Sequence, residues 1–519
     1  MKRALVLAVA SFAAFAAACG GGGGSPNPPP PPPATGFSLA SLSGQYAFEM
    51  SGTDLNAAFI ARVGSFTADG AGNLSAAVED VNDAGSFNIV QFTGGTYTVG
   101  TDGRGTLTLN SGVGNGLLLS IALSSTSSGY AVQTDGNSTT SGSFYTQTSS
   151  AFSLPSISGS YAFDASGIDS NSAPLSIVGQ FAANGGGGVT GGVLDVNAGS
   201  SSAPTGAVAI PASTISTDAT FGASNGRGTI ILDGLTYIFY IVDGTHLVMI
   251  EEDASFASVG DSFIQTGTIP TQVAGLAGTF SFLIGGSAVT GNFGSIARVG
   301  SAAFNAGAAT AVSLDDNNAG NYTKLTNDSG SYTIDPAGSG RGTFTFVDSS
   351  AGAFSYVFYL ISPAQAVVQE TSSGVIGSGT MSAQPSSISN SSLAGTYIFN
   401  WSGVTIPSSH NIGFEEDFVG QYTLAAANTI SGTVDFTELG STSTPIFTDV
   451  PVTGTFPITG SGTGRNSYQA IVSPGGGAPS TTFNFAAYVG SGNTVYLVTT
   501  DTTRVTAGTA LVQTPPATQ

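Results

Sequence analysis

The sequence predicts an all-β protein built from four tandem antiparallel meander domains, each a small β-barrel of about eight strands. Charged residues are only 8% of the 519 residues, so the helix-forming residues Glu, Lys and Arg are scarce. Glycine, at 74 residues, separates short runs rich in Val, Thr, Phe and Tyr, which favour strands joined by tight turns. One unit of this kind recurs four times along the chain. Together these observations exclude a mainly helical protein.

The first 18 residues have the features of an export leader. Lys2-Arg3 is followed by an apolar run to Ala18, which is shorter than the roughly 20 residues that a spanning helix needs. The only cysteine, Cys19, comes directly after Ala16-Ala17-Ala18. This arrangement resembles the lipobox of bacterial lipoprotein precursors, although Ala16 stands where that family prefers leucine. The resemblance implies lipidation of Cys19, which becomes the first residue after cleavage.

Two locations follow from this leader. Gly20 stands where an aspartate retains members of the lipoprotein family at the inner membrane, so the resemblance implies anchoring at the outer membrane. The sequence Ala16-Ala17-Ala18 also suits an ordinary signal peptidase, and the alternative is therefore a soluble secreted protein. With a single cysteine the chain forms no internal disulfide, and its domains depend on core packing and sheet hydrogen bonds.

Residues 19–41 are predicted to form a lipid-anchored tether. Glycines at 20–24 make a flexible joint, and prolines at 28–33 make a stiff polyproline II spacer. Beyond the tether, one pentapeptide recurs at intervals of roughly 115–120 residues, which is the length of a complete domain rather than of a solenoid repeat. Its copies begin at Gly44, Gly159, Gly278 and Gly395. The predicted domains are 42–150, 155–268, 274–386 and 391–519.

Each unit is a series of alternating strands joined by hairpin-length turns, and the last strand ends near Gln147, Gln265, Gln384 or Gln513. Alternation predicts antiparallel strands with one buried face. A closed barrel removes exposed edges and is favoured over the alternative, a two-sheet sandwich. The meander is similar to those of avidin and the lipocalins in architecture only. No binding motif of either family is present.

Strand 235–242 and its counterpart 354–361 are apolar on both faces. Such strands are covered on both sides, so we expect their outer faces to contact neighbouring units and to hold the units in a stack. Trp401 shares strand parity with Tyr397 and Phe399 and is predicted to lie in the core of its barrel.

Four arginines occupy the same glycine–arginine turn in the four units: Arg104, Arg227, Arg341 and Arg465. One interpretation is a clamp for a carboxylate or phosphate on the rim of each barrel. The other, which we favour, is structural: the guanidinium binds loop carbonyls or a neighbouring carboxylate, and the glycine supplies a positive φ.

An Asp-x-Asn motif recurs between a glycine turn and the next alternating strand of three units, as Asp80/Asn82, Asp195/Asn197 and Asp315/Asn317, and becomes Asp435/Thr437 in the fourth. These pairs begin like calcium loops and are weak calcium candidates. Position five is Ala84 in the first copy and Ala319 in the third, where an EF-hand needs an oxygen ligand. A turn-capping role is favoured. No metal site, catalytic residue or cofactor is predicted.

Charge limits the possible partners. The chain has 31 acidic and 10 basic residues, a net charge of −21, which repels nucleic acid and anionic lipid. Attachment to a membrane is therefore expected through the N-terminal lipid. The sequence favours a non-enzymatic, monomeric envelope scaffold or adhesin with contacts between repeats, whose surface protein or glycan partner is unknown. A lipoprotein that binds a small apolar or sugar ligand, and an exported hydrolase, are the alternatives.

Overall fold

Four antiparallel sheets follow one another along the chain, and each closes on itself by pairing its first and last strands. The computed structural model describes residues 36–112, 116–201, 203–254, 256–291, 293–406, 414–438, 446–458, 464–474 and 480–517. Cys19, the leader and the tether up to residue 35 lie outside the described residues. The prediction of four tandem small barrels is confirmed, and the sandwich alternative is wrong.

Barrels 1 and 2 come from the first half of the chain. The strands of barrel 1 are β1 (Ser43–Asp54), β2 (Phe59–Asp69), β3 (Asn73–Asp83), β4 (Ser86–Tyr97), β5 (Arg104–Ser111), β6 (Leu117–Leu123), β7 (Ser128–Gln133) and β8 (Ser138–Thr146). Those of barrel 2 are β9 (Ser158–Ile168), β10 (Pro174–Asn184), β11 (Gly188–Ala198), β12 (Thr205–Ile210), β13 (Ser213–Thr217), β14 (Arg227–Leu232), β15 (Leu235–Asp243), β16 (His246–Glu251) and β17 (Ala257–Ile264).

Barrels 3 and 4 repeat the same order. The strands of barrel 3 are β18 (Gly278–Ala288), β19 (Gly294–Asn305), β20 (Ala308–Asn318), β21 (Asn321–Ile334), β22 (Arg341–Asp348), β23 (Gly352–Ser362), β24 (Gln365–Glu370) and β25 (Val375–Ala383). Those of barrel 4 are β26 (Gly395–Thr405), β27 (Glu415–Leu424), β28 (Thr429–Glu438), β29 (Ile446–Thr455), β30 (Arg465–Val472), β31 (Thr481–Val489), β32 (Val495–Thr499) and β33 (Arg504–Val512).

Helix is nearly absent from the described residues, which contain two four-residue helices, α1 (Gly222–Asn225) and α2 (Asn390–Leu393), and short 3₁₀ turns. In barrel 2 the fourth strand is split into β12 and β13, which both pair with β11. Pro211 lies between them. Proline has no N–H to donate to a sheet, although the corresponding strand of barrel 4, β29, continues through Pro451.

The recurring pentapeptide sets the core of every barrel. Its Phe lies directly opposite a glycine on the neighbouring strand, as in the pairs Phe48–Gly64 and Phe399–Gly420. A Cβ built on either glycine would lie 2.6 Å from the phenylalanine ring, so only glycine lets the ring lie flat across the sheet. Aromatic residues fill the interiors, and Trp401 is fully buried in barrel 4.

Residues 35–517 form one compact unit. Phe37, which the sequence analysis assigned to the tether, is buried in the core of barrel 1. Barrels 1, 3 and 4 meet at a cavity of about 490 Å³, lined by Thr53, Leu283 and Val505 among others. Barrels 1, 3 and 4 therefore meet around one space, and the barrels do not extend as a string.

Candidate functional site at the barrel junctions

The four repeated arginines each open the fifth-strand position of a barrel: they are the first residues of β5, β14, β22 and β30. The glycine before each arginine has a positive φ, between 68° and 84°, which glycine adopts without strain. The turn aims the guanidinium out of its own barrel, and the arginine side chains are 8–20% exposed. Each one reaches a carboxylate of the preceding barrel.

Three junctions share a bidentate ion pair. Arg227 donates to Asp80 from Nε at 2.9 Å and from Nη2 at 2.8 Å. Arg341 binds Asp195 in the same way, with both distances 2.7 Å. Arg465 binds Asp315 at 2.8 and 2.6 Å. These contacts join barrel 1 to barrel 2, barrel 2 to barrel 3, and barrel 3 to barrel 4.

The fourth arginine joins the last barrel to the first. Nη2 of Arg104 in barrel 1 donates to both oxygens of Asp435 in barrel 4, at 2.8 and 2.9 Å, and to Asp449 at 2.9 Å. Ser141 of barrel 1 also donates to Asp417 of barrel 4. The barrels therefore form a closed ring, and the expected stack is wrong in this respect.

A tyrosine completes the carboxylate site at three junctions. Tyr240 donates to Asp80 at 2.6 Å, Tyr359 to Asp195 at 2.6 Å and Tyr488 to Asp315 at 2.9 Å. Each tyrosine lies directly opposite the junction arginine on the adjacent strand. Burial, followed by the adjacent carboxylate, raises the pKa of each hydroxyl, so the tyrosines stay protonated and keep donating.

The asparagine of the motif binds backbone carbonyls of the next barrel. Asn82 donates to the carbonyls of Glu251 and Phe256, each at 2.8 Å. Asn197 makes the equivalent bonds at 2.8 and 2.7 Å, and Asn317 donates to the carbonyl of Thr499 at 2.7 Å. These residues therefore serve as donors between barrels.

The glutamine that ends each unit forms another repeated contact. Gln147 Nε2 donates to the carbonyls of Asn225 and Ile241, at 2.9 and 2.7 Å, and Gln265 makes the equivalent bonds. Gln513 of barrel 4 donates to two carbonyls of barrel 1. A Cβ on Gly103 would lie 2.6 Å from Gln513 Nε2, so the glycine of the turn also makes room for the neighbouring glutamine.

The ring-closing junction is the least complete. Ala122 holds the position of the tyrosine opposite Arg104, and Thr437 replaces the asparagine. Thr437 Oγ1 is buried and has no hydrogen-bond partner among the described residues. Tyr130 of barrel 1 compensates in part by a 2.6 Å hydrogen bond to Thr509 of barrel 4. This junction therefore has fewer stabilising contacts than the other three.

Apolar clusters lie between the barrels around these polar contacts. Ile238, Tyr240 and Val242 of β15 pack against Ala47 and Val63 of barrel 1. Val357 and Tyr359 of β23 pack in the same way against barrel 2. Two further clusters lie at the junctions of barrel 4 with barrels 3 and 1. The expectation that strands with two apolar faces make contacts between units is confirmed.

The chemistry of the junctions bears on both earlier interpretations of these residues. The arginines are already bound to carboxylates, so an external anion would have to displace an aspartate. A calcium ion at Asp80, Asp195 or Asp315 would have to displace a guanidinium. Within the described ranges, no group of three or more His, Cys, Asp or Glu residues is arranged to hold a metal. The anion clamp and the calcium sites stay predictions.

The tyrosines and glutamines of the junctions were not among the functional residues predicted from the sequence. Two sequence patterns could have indicated them. A glutamine ends every unit, and in three units a tyrosine occupies the same position of the strand that follows the junction arginine. What was missing was the partner, because each Asp binds the arginine of the next unit rather than that of its own.

A second polar cluster lies at the junction of barrels 1 and 2, beside a cavity of about 180 Å³. Glu49, Asp164 and Asp261 line it, and His246 Nε2 lies 2.5 Å from Asp261 Oδ1. Burial raises the pKa of Asp164 and of Asp261 to about 7 and raises that of Glu49 well above its ordinary value. Burial lowers the pKa of His246 to about 4.

This cluster should make the protein less stable as the pH rises. Asp164 and Asp261 keep their protons in the folded state up to about pH 7 but lose them near pH 4 when the chain unfolds, so their contribution to stability falls across this interval. The pKa of Glu49 is raised in the same direction by burial, so Glu49 adds to the fall. His246 has the opposite effect between about pH 4 and pH 6.5, but it is one group against three. We expect a lower midpoint of urea unfolding at about pH 8 than at about pH 5.5.

Asp164→Asn should flatten that pH dependence, because it removes one of the three titrating carboxyls. The exposed Asp233→Asn in the same barrel is the matched control and should leave the slope unchanged. A midpoint that rises between the two pH values would contradict the assignment.

Comparisons with known proteins give little beyond these geometric findings. No known family matches the sequence, and no curated protein does. Among solved structures, the chain is similar to the isotype 1 transferrin binding protein B from serogroup B Neisseria meningitidis. The two share 11% identity over 74% of this chain and 83% of that chain, with a TM-score of 0.18. A TM-score this low supports no conclusion about function. In the described residues, no helix is long and apolar enough to cross a membrane.

Proposed function

We propose that this protein is a non-enzymatic scaffold of the cell envelope, anchored by a lipid at Cys19 and held at the outer membrane. The observation that carries the proposal is the closed ring. Four buried or half-buried Arg–Asp pairs connect four separately filled barrels in a cycle, so that each barrel is fixed by two neighbours. Such a body suits a protein that holds a surface in a fixed geometry.

The use of basic side chains supports this proposal. The chain has eight basic residues after Lys2 and Arg3, and the seven arginines among them all lie in ion pairs with this chain's own carboxylates. Four of these pairs join barrels, and three lie inside barrels. The arginines of the body therefore serve its architecture, and the exterior is left acidic for a surface protein or glycan partner.

The N-terminal segment supports the location. The leader and Cys19 resemble a lipoprotein precursor, and the net charge of −21 disfavours binding to anionic lipid by electrostatics. A covalent lipid, followed by the glycine joint and proline spacer, would hold the ring away from the bilayer.

Membrane fractionation of the natural host tests the proposal. The wild-type protein should sediment with outer membranes, and Cys19→Ser should move most of it to the soluble fraction. Ser25→Ala, a change of similar size in the same tether, should remain with the membrane. Recovery of the wild-type protein in the culture medium would instead support the soluble secreted alternative and overturn the anchor.

A further inference from the structure

Barrel 4 differs from a fully packed barrel at the end where β27, β28 and β33 meet. A cavity of about 230 Å³ opens there. Four phenylalanines form much of its wall: Phe418, Phe436, Phe447 and Phe483. Phe418 stacks on Phe436 at 4.8 Å, and Phe436 stacks on Phe447 at 4.5 Å between ring centroids. The barrel therefore presents a column of aromatic rings to a space large enough for a small molecule.

The charged groups of this cavity do not balance. Arg504 donates from Nη1 to both oxygens of Glu416 at 3.0 Å, and its guanidinium carbon lies 4.1 Å from the centroid of Phe483. Burial raises the pKa of Glu416 to about 7, so these two residues neutralise each other above that pH. Glu438 also lines the cavity and is half-buried. Its carboxylate has no hydrogen bond or ion pair in the part of the chain that the structure describes, so one negative charge is left over.

We propose that this cavity binds a small organic cation with an apolar or aromatic body. The faces of aromatic rings attract ammonium groups, and sites of this kind recognise quaternary and alkylated amines. Glu438 supplies the opposite charge, and the acidic field of the whole chain favours a cation over an anion. The volume is below the range of about 300–1,000 Å³ that is typical of drug-sized ligands, so the ligand is small.

Barrels 1 and 3 have no arginine at the strand position of Arg504. The position of Arg504 on the last strand corresponds to Ser138 in barrel 1 and to Val375 in barrel 3, where each is likewise placed at the start of the strand that closes the barrel. Barrel 3 instead places the guanidinium carbon of Arg298 5.0 Å from the centroid of Phe354, with Glu370 2.6 Å from Nη1. The site proposed in barrel 4 is independent of the scaffold role proposed for the ring.

The fluorescence of Trp401 can report ligand binding in this cavity. Trp401 is the only tryptophan of the chain and lies 5.8 Å from Phe483 and 6.0 Å from Phe418, between ring centroids. Tryptophan fluorescence of the full chain should change in a saturable way with phenethylammonium. The neutral analogue phenylethanol should bind at least about fivefold more weakly, as expected for the loss of one cation–π and charge contact. The carboxylate 3-phenylpropionate should bind more weakly still.

Glu438→Gln should weaken phenethylammonium binding by about five- to tenfold. It should leave the unfolding transition unchanged, because the carboxylate has no partner to lose. Glu252→Gln removes the same charge from an exposed position in barrel 2 and should leave binding unchanged. The proposal is overturned if no probe binds, if phenylethanol or 3-phenylpropionate binds as tightly as the cation, or if Glu438→Gln binds like the wild type.

Discussion

Replacing Asp315 by alanine should lower the free energy of unfolding by about 3–5 kcal/mol, the usual cost of removing one partner of a buried ion pair. Asp315 is fully buried and accepts two hydrogen bonds from Arg465, one from Tyr488 and one from Tyr322. Without it the guanidinium of Arg465 loses its carboxylate partner, and the hydroxyls of Tyr488 and Tyr322 lose the acceptor that Asp315 provides. Urea unfolding followed by circular dichroism measures the change.

Two further variants separate the ion pair from general disruption. Asp233→Asn, at an exposed position of barrel 2 whose positive φ of 51° asparagine also tolerates, should change stability by no more than about 0.5 kcal/mol. The double variant Asp315→Leu/Arg465→Met should recover part of the loss, because an apolar pair of similar volume leaves no uncompensated charge. A stability of Asp315→Ala equal to that of the wild type would show that the pair does not hold the junction.

Removing barrel 4 should be more damaging than the loss of a terminal unit from an open array. A chain that ends at residue 386 exposes the barrel 3 side of one apolar cluster, with Leu283 and Val299, and the barrel 1 side of another, with Val132. Burial of each such side chain contributes about 1.5–3 kcal/mol. Barrels 1 and 3 should therefore lose several kcal/mol each and associate through the exposed faces. Hydrogen exchange along β7 and β19, together with light scattering, measures both effects.

A circular permutant is the matched control. Phe37 packs against Gly103 as Phe152 packs against Gly226, and the N–H of Thr514 binds barrel 1 as that of Thr148 binds barrel 2. Residue 514 can therefore be joined to residue 37 by three residues, the length of the Ser149–Ala151 turn in the natural linker, with the chain reopened before Phe152. This permutant keeps all four junctions and should retain the stability of the wild type. A similar loss in the permutant and the truncated chain would contradict a closed ring.

The barrels were predictable from the sequence because their information is local. Strand alternation and the glycine turns favour a closed sheet within each unit. The ring was not predictable in the same way. Asp80 and Arg104 belong to one unit and look like partners, yet Asp80 binds Arg227, and that exchange depends on the angle between neighbouring barrels. The cavity in barrel 4 was not predictable for a similar reason. Its walls, which include Phe447 and Glu438, come from strands that are distant in sequence and meet only in the folded barrel.

Thr437 stands where the other junctions have an asparagine, and Ala122 stands where they have a tyrosine. Both changes fall at the junction that brings together the two ends of the described chain, while the three junctions connected by a linker keep the full set. Where a linker already holds two barrels close, their contacts form at a high effective concentration. The fourth junction has no linker and relies on the other three to bring its faces together.

The closed ring fixes the number of repeats. An open solenoid gains or loses a unit at little cost because its ends are capped and its inner interfaces are all alike. Here a fifth unit would change the angle between neighbouring barrels at every junction. The loss of one unit would leave the junction aspartate of one neighbouring barrel and the junction arginine of the other without a partner. Duplication within this gene would therefore be selected against except in whole rings, so related chains should contain four units, or multiples of four, rather than a continuous range of lengths.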